Sequence, residues 1–395
     1  MQETANNLEA KRSIGWMGLS RGHKARPLEW LIEKGIFLVA ISAILVVFLI
    51  FLFVLREAWP IFSGKANSAA ARKVIPADQI DKLTPFQLQA YLELTPDEFN
   101  KKDKETLKLL MEVKEEAGKE AVPDKDEALN TTQWKYILKP YAFTGYSKPE
   151  YIWQPISNIK KYNIIPLIIG SLKTTLVALL FSVPLSIAAA IYVSQLANPK
   201  VKEWVKPAIE MLSGIPSVVM GVFALLVLAT FLQTIFHYNS RLNALVAGVA
   251  LGLAIVPVIF SIAEDALTSV PRSYVQAALA VGSSKWQAAW QVVLPAALPG
   301  VFAAVILGFG RAIGETMIVL LASGNASIMS ASIFDSTRSI TSTIAAELAE
   351  AVFGGHHYGM LFMIGTLLFG VTFVSNLMGE YIMYRLKSRL EGKQK

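Results

Sequence analysis

The chain has 395 residues, 53% of them hydrophobic and 17% charged, with no cysteine and a formal net charge of +7. Soluble domains carry about 25% charged residues, so this composition excludes a disordered chain and an ordinary cytosolic enzyme. The missing thiols exclude a disulfide-built secreted domain, thiolate metal sites and cysteine nucleophiles. His23, His237, His356 and His357 are too few and too scattered for a metal cluster, so no metal site is expected. The basic excess marks the cytoplasmic ends of a membrane protein rather than a nucleic-acid surface, and no nucleic-acid partner is expected.

Residues 1–34 form a basic segment with Lys11, Arg12, Arg21, Lys24, Arg26 and Lys34. Within it, residues 27–34 set Trp30 among charges, which suits a helix at the lipid interface. A crossing helix needs about 20 mostly apolar residues, and 35–55 supplies 21 without a charge. That run is longer than the apolar core of a signal peptide, about 7–15 residues. Arg56, Glu57, Trp59 and Pro60 follow it instead of a small-residue cleavage site. It is read as a retained anchor, the first transmembrane helix.

Residues 56–163 are predicted to be a helical extracytoplasmic insert. The stretch 57–163 carries 16 Lys+Arg and 16 Asp+Glu, and long loops translocate largely regardless of charge. Thr84-Pro85 and Thr95-Pro96 read as helix starts, and 134–153, rich in aromatics and proline, as an ordered surface segment. The insert is either a solvated elaboration or a contact surface for a neighbouring subunit or binding protein.

Five further apolar runs follow, at 174–197, 211–236, 242–263, 299–321 and 358–379. All lack charge except 299–321, which contains Arg311 and Glu315. Backbone groups in lipid must pair within their own segment, so each run is predicted to be a helix. The fold class is all-α, with six transmembrane helices. Five of them form a core at 164–384, and 385–395 is a basic tail with Arg385, Lys387, Arg389, Lys393 and Lys395. Lys200, Lys202 and Lys206 follow the second run, and Arg272 and Lys285 the fourth. The short alternate loops hold only Arg241 and Arg338. Positive-inside bias therefore puts both termini in the cytoplasm.

Glycines recur four apart at Gly248 and Gly252 and at Gly310 and Gly314, a spacing that lets helices approach closely. Pro184, Pro216 and Pro257 fall inside runs and are expected to kink them. Residues 339–350 are polar and contain Glu347 and Glu350, reading as a capped surface helix or part of a docking surface.

The segment joining the fourth and fifth runs, about 265–295, carries the clearest motif. Pro271 and Ser273 suit a helix entrance, and Tyr274, Ala277, Ala278 and Val281 make a compact apolar stripe. Gly282 can take the left-handed conformation that ends a helix, and a second helical stretch runs on to Pro295. The small residues Ala277 and Ala278 let such a knob seat closely in another protein's groove.

This segment resembles the EAA loop of ABC-importer permeases, with Ala277-Ala278, the downstream Gly282 and the later Leu294-Pro295. The first motif position is Gln276 where the family has Glu, so the family's charge is missing here. In that family the loop forms a coupling helix that docks on an ATP-binding subunit. A longer resemblance runs from about 167 to the C-terminus: Glu210-Met-Leu-Ser-Gly-Ile-Pro, Glu264-Asp-Ala-Leu, Leu294-Pro-Ala-Ala-Leu-Pro-Gly, Gly310-Arg-Ala-Ile-Gly-Glu-Thr-Met and Ile344-Ala-Ala-Glu-Leu-Ala-Glu. Together these resemble the PstC-type permease subunits of bacterial phosphate ABC importers.

The resemblance implies a MetI-like permease core in the bacterial inner membrane and inorganic phosphate as the cargo. It implies a heterodimer with a PstA-type permease, two PstB-type ATPase subunits and a PstS-type phosphate-binding protein. The chain itself binds no cofactor on this reading; ATP and Mg belong to the ATPase, and no phosphate-loop motif occurs here. The insert departs from the family's compact first external loop.

A charge in mid-bilayer is costly and faces a cavity or a partner. Arg311 and Glu315, four apart, would share one helix face and could touch. One reading is a structural ion pair. The other is a translocation path, where the guanidinium fork matches phosphate oxygens and the carboxylate accepts a hydrogen bond from a protonated phosphate oxygen. The family resemblance implies the second. The rival classes are a secondary transporter, which needs internal repeats, a channel, which needs a filter, a membrane enzyme, and a permease for another oxyanion such as sulfate or molybdate.

Overall fold

Helices form where the hydropathy requires internal pairing of the backbone. A computed structural model describes residues 27–66, 77–92, 94, 96–120, 126 and 129–390. The basic stretch 1–26 and the last five residues of the tail lie outside the described residues. Among the described residues, six helices are long and apolar enough to cross a membrane: Lys34–Phe62, Ile165–Leu196, Ser217–Phe236, Ala244–Thr268, Lys285–Ile313 and His356–Arg385.

The chain divides into two units, residues 1–53 and 54–395. The first helix, α1 (Pro27–Phe62), begins in the first unit and is continuous from the proposed interfacial segment. Ile36, Leu38 and Phe48 on it are exposed, an apolar surface suited to lipid.

In the second unit, the insert contains α2 (Pro85–Leu92), α3 (Pro96–Asn100), α4 (Lys104–Glu120) and α5 (Trp134–Leu138). Two of these begin at the prolines that mark them in the sequence. Thr84 caps the first, its hydroxyl accepting from the Gln87 amide at 3.2 Å. Leu88, Tyr91, Leu107 and Met111 close a small core of their own. A short antiparallel pair, β1 (Trp153–Gln154) and β2 (Lys161–Tyr162), ends the insert. Trp153 and Tyr162 pack into a second core with Ala58, Ile61, Leu167, Met360 and Ile364, so this part of the insert is built onto the membrane helices.

The membrane core begins with α6 (Ile165–Ile191), extended by a π-helical turn to Leu196, and continues with α7 (Pro199–Met211), α8 (Ser217–Phe223), a second π turn, and α9 (Ala229–Phe236). Then come α10 (Ala244–Thr268), α11 (Arg272–Ala280), α12 (Lys285–Ala288), α13 (Leu294–Ile313), α14 (Met317–Ala322), α15 (Ile340–Glu347) and α16 (His356–Leu390). Helix α10 is the central and most enclosed of the spans. It runs parallel to α6. A Cβ on Gly248 would lie 2.5 Å from Val177, and one on Gly252 2.9 Å from Phe181, so the predicted close approach is real. Against α13 it is antiparallel, with Gly300 on Ala266 and Gly308 on Ile259.

Several boundaries differ from the hydropathy reading, three of them for an identifiable local reason. The second span starts at Ile165 rather than 174, because Lys173 does not end it. Its ammonium donates to the carbonyls of Ser330 and Ser332 at 3.1 and 3.0 Å, satisfying the charge inside the fold. The third span starts at Ser217 rather than 211, since a tight turn at Leu212–Gly214 precedes Pro216, which stands before the helix rather than inside it. The fifth run is not one helix. It stops at Ile313, and α14 starts only at Met317.

Candidate functional site

The break in the fifth run sits deep in the bundle. Gly308 is level with Ile259 and Gly300 with Ala266, so Arg311, three residues further on, is level with about Val256. That is the midpoint of α10, twelve residues or about 18 Å from either end. Arg311 therefore lies level with the middle of α10, in the last turn of α13, and is exposed on this chain.

Glu315 lies past the helix end, so the shared helix face expected for the two residues does not form. Gly314 closes α13 and Glu315 turns away, its Oε1 accepting from the amides of Thr316 at 3.1 Å and Met317 at 3.2 Å. That satisfies amides left open at the start of α14 and competes with continuation of the helix. The Glu315 carbonyl accepts from the Thr341 hydroxyl at 2.8 Å. Among the described residues no ion pair joins Arg311 to Glu315. The guanidinium thus faces outward without an internal carboxylate, while the second carboxylate oxygen of Glu315 makes no described contact. Across α14, a Cβ on Gly221 of α8 would lie 2.8 Å from Leu321 and 3.1 Å from the Met317 carbonyl, so α8 rests directly on the helix that follows the break.

At one end of the bundle, α11 and α12 form the helix–turn–helix the sequence implies. Pro271 stands at the N-terminus of α11. Gly282 has φ +90°, a conformation L side chains avoid, and Ser283 donates back to Ala278 at 3.1 Å. Ser284 then opens α12 with a reciprocal capping pair to Gln287. Of the candidate coupling residues, Gln276, Ala277, Gly282 and Pro295 are exposed, whereas Ala278 is buried against the helices behind. Val281 is 83% exposed and Tyr274, Trp286 and Trp290 are also exposed, the two indole rings meeting at 5.7 Å. Pro295 does not end the second helix. A π turn at Ala289–Val293 carries the chain without a break into α13, with Pro295 just after the turn.

Two carboxylates to which the sequence reading gave no buried partner are held inside the fold. Glu264, 1% exposed in the last turns of α10, accepts from Lys202 at 2.8 Å, Lys206 at 2.6 Å and the Thr268 hydroxyl at 2.9 Å. Lys206 also reaches Asp265 at 3.3 Å. Its hydrogen bond to Glu264 holds the ammonium above the usual lysine range. The signal available in the sequence was the i, i+4 pair of lysines on α7, which otherwise reads as topology. At the other end of the bundle, Glu347 is not a surface residue. It is buried, bound by Arg338 at 2.6 Å, by the Trp153 indole at 3.1 Å, and set 3.4 Å from His357. Burial pushes its carboxyl above the usual carboxylate range, although Arg338 pulls the other way. Glu347 thereby ties the insert to α15 and α16.

Six spans, a helix broken level with the middle of α10 and an exposed helix–turn–helix at one end define a polytopic helical membrane protein. The chain belongs to the family of binding-protein-dependent transport system inner membrane components, whose model matches residues 182–388. It is thus a transport component of the inner membrane and not an enzyme; the match leaves the insert outside. The probable ABC transporter permease protein YqgH of Bacillus subtilis (strain 168) is 34% identical over 255 residues, covering 63% of this chain and 82% of that protein. The phosphate transport system permease protein PstC of Mesorhizobium japonicum is 34% identical over 256 residues, covering 60% and 77%. The protein of that name in Pasteurella multocida is 33% identical over 261 residues, covering 61% and 80%. Among solved structures, an inward-facing MetNI methionine ABC transporter aligns with 56% of this chain and 94% of its own at 18% identity and a TM-score of 0.43.

Proposed function

We propose that this chain is the PstC-type permease subunit of an ABC importer for inorganic phosphate, forming half of the path with a PstA-type partner. The observation that carries the reading is Arg311: an exposed guanidinium level with the middle of α10 and without an internal carboxylate partner requires compensation from outside the chain. A passing anion on a partner-lined path provides it. The guanidinium fork matches two phosphate oxygens, and the open oxygen of Glu315 accepts from a phosphate hydroxyl, which sulfate lacks at neutral pH. The curated relatives named as phosphate transport permeases support the choice of cargo.

The positive-inside bias of the loops orients the knob toward the cytoplasm together with both termini. There Gln276, Ala277 and Gly282 meet a PstB-type ATPase, which supplies the ATP and Mg chemistry, while Ala278 packs the knob onto the spans. The insert side then receives a PstS-type binding protein. ATP binding closes the ATPase pair, the knob is carried with it, and the spans alternate access.

The test is uptake of labelled phosphate by the reconstituted complex, with phosphate, sulfate and molybdate as competitors. Inhibition by unlabelled phosphate alone supports the reading. Stronger competition by sulfate or molybdate assigns the chain to another oxyanion. Uptake driven by an ion gradient without ATP makes it a secondary transporter.

A further inference from the structure

The exposed knob reaches the near side of the break at Arg311 through one continuous span, Lys285–Ile313, and α14, on the far side of the break, is reached by a second route through α7. We propose that Glu264, with Lys202 and Lys206, is a positioning group that locks α7 to the end of α10 and makes α7 the lever carrying motion of the knob to the break. The inference rests on the coupling role proposed for α11 and α12.

The connection can be followed residue by residue. Glu264 lies in the last turns of α10, and only Ser269, Val270 and Pro271 separate that helix from α11. A displacement of α11 therefore arrives first at the turn carrying Glu264. Both carboxylate oxygens are taken, Oε1 by Lys202 and Oε2 by Lys206. The lysines are one helical turn apart on α7, so the two bonds fix both the position and the rotation of that helix. Val205 and Ile209 of α7 pack against the same core as α10, and Gln195, just before α7, donates to the Leu267 carbonyl at 3.2 Å. Beyond α7, one tight turn and Pro216 lead into α8. Gly221 of α8 bears on Leu321 and Met317 of α14, and α14 begins where Glu315 caps it.

A buried carboxylate with two ammonium partners is a costly way to obtain stability alone. Its geometric yield is a directional joint that adds to the apolar contacts of Val205 and Ile209 on the core.

The experiment uses the whole complex, with ATPase and binding protein, in proteoliposomes, reading solute moved per ATP hydrolysed. Glu264→Gln keeps the shape and removes the charge. The expected result is an assembled complex that hydrolyses ATP but moves about tenfold less solute per ATP, partly recovered by Glu264→Asp. An unchanged ratio overturns the proposal. A second arm covers failure of that variant to assemble. The chain has no cysteine, so Lys206→Cys with Asp265→Cys places the only two thiols on α7 and α10. Bridging them with a bifunctional thiosulfonate restores coupling if the helices move as one body, and blocks transport if they must slide, which overturns the proposal. Gly282→Trp in the same assay separates the two readings. If it uncouples and Glu264→Gln does not, the lever fails and the knob stands. If neither changes the ratio, both fail.

Discussion

Glu315 stands two residues beyond the helix that carries Arg311, and its carboxylate turns onto the amides of Thr316 and Met317 instead of toward the guanidinium. The separation removes the alternative in which the two charges merely satisfy each other within one helix. It also gives them different duties. Glu315 caps the next helix, and Arg311, proposed to meet the passing anion, is left without that carboxylate.

Arg311→Ala is expected to reduce phosphate uptake to background while leaving copurification of the complex intact. Arg311→Lys keeps the charge but loses the bidentate fork, and intermediate uptake is expected. Labelled phosphate uptake normalised to assembled complex is the measurement. Normal uptake in the alanine variant would remove Arg311 from the path.

A residue with a side chain at position 282 has open space, since nothing lies within 4 Å of a Cβ built there, but must hold φ +90°. The conformational cost alone is about 1–2 kcal/mol, so Gly282→Ala should weaken the knob modestly. Gly282→Trp adds bulk at the surface where the ATPase is proposed to sit. Insertion should be preserved, with ATP hydrolysis continuing and uptake lost. The pair of rates in proteoliposomes checks this, and coupled transport equal to the unaltered protein would exclude the contact.

Gly170 on α6 is crossed by the loop before α15. A Cβ there would lie 2.2 Å from the Arg338 carbonyl oxygen, a backbone atom that cannot swing aside. Gly170→Ala should cost about 3 kcal/mol, the upper part of the overpacking range. Gly214→Ala, where nothing lies within 4 Å, should be neutral. Thermal unfolding in detergent compares them, and equal Tm values would contradict the packing.

The Lys206 ammonium is favoured in the folded state by Glu264. Because its folded pKa is raised, its contribution to stability is complete below the ordinary lysine value of 10.5 and is lost as pH rises through the folded value. Lys206→Met should therefore melt earlier than the unaltered protein at neutral pH, and the difference should shrink above that ordinary value. A pH-independent difference would mean that the side chain acts by packing alone.

How far the sequence could be read depended on the range of the interactions involved. The glycine spacing at Gly248 and Gly252, the left-handed turn at Gly282 and the helix starts at Pro85 and Pro96 are local properties of the chain, and all are present. The burial of Glu347 and the lock at Glu264 were not legible, because their partners Trp153, Lys202 and Lys206 are distant in sequence. Lys173 misled for the same reason. It reads as the edge of a span until the carbonyls that receive it are known.

Hydropathy alone determined that six segments of this chain leave water as helices, since a backbone in lipid has no other source of hydrogen bonds. It could not determine where such a segment stops being helical. At Gly314 that was decided by a side chain able to replace the next helical bonds and by Thr341 arriving from 26 residues away to hold the freed carbonyl. Only the folded arrangement brings those groups together.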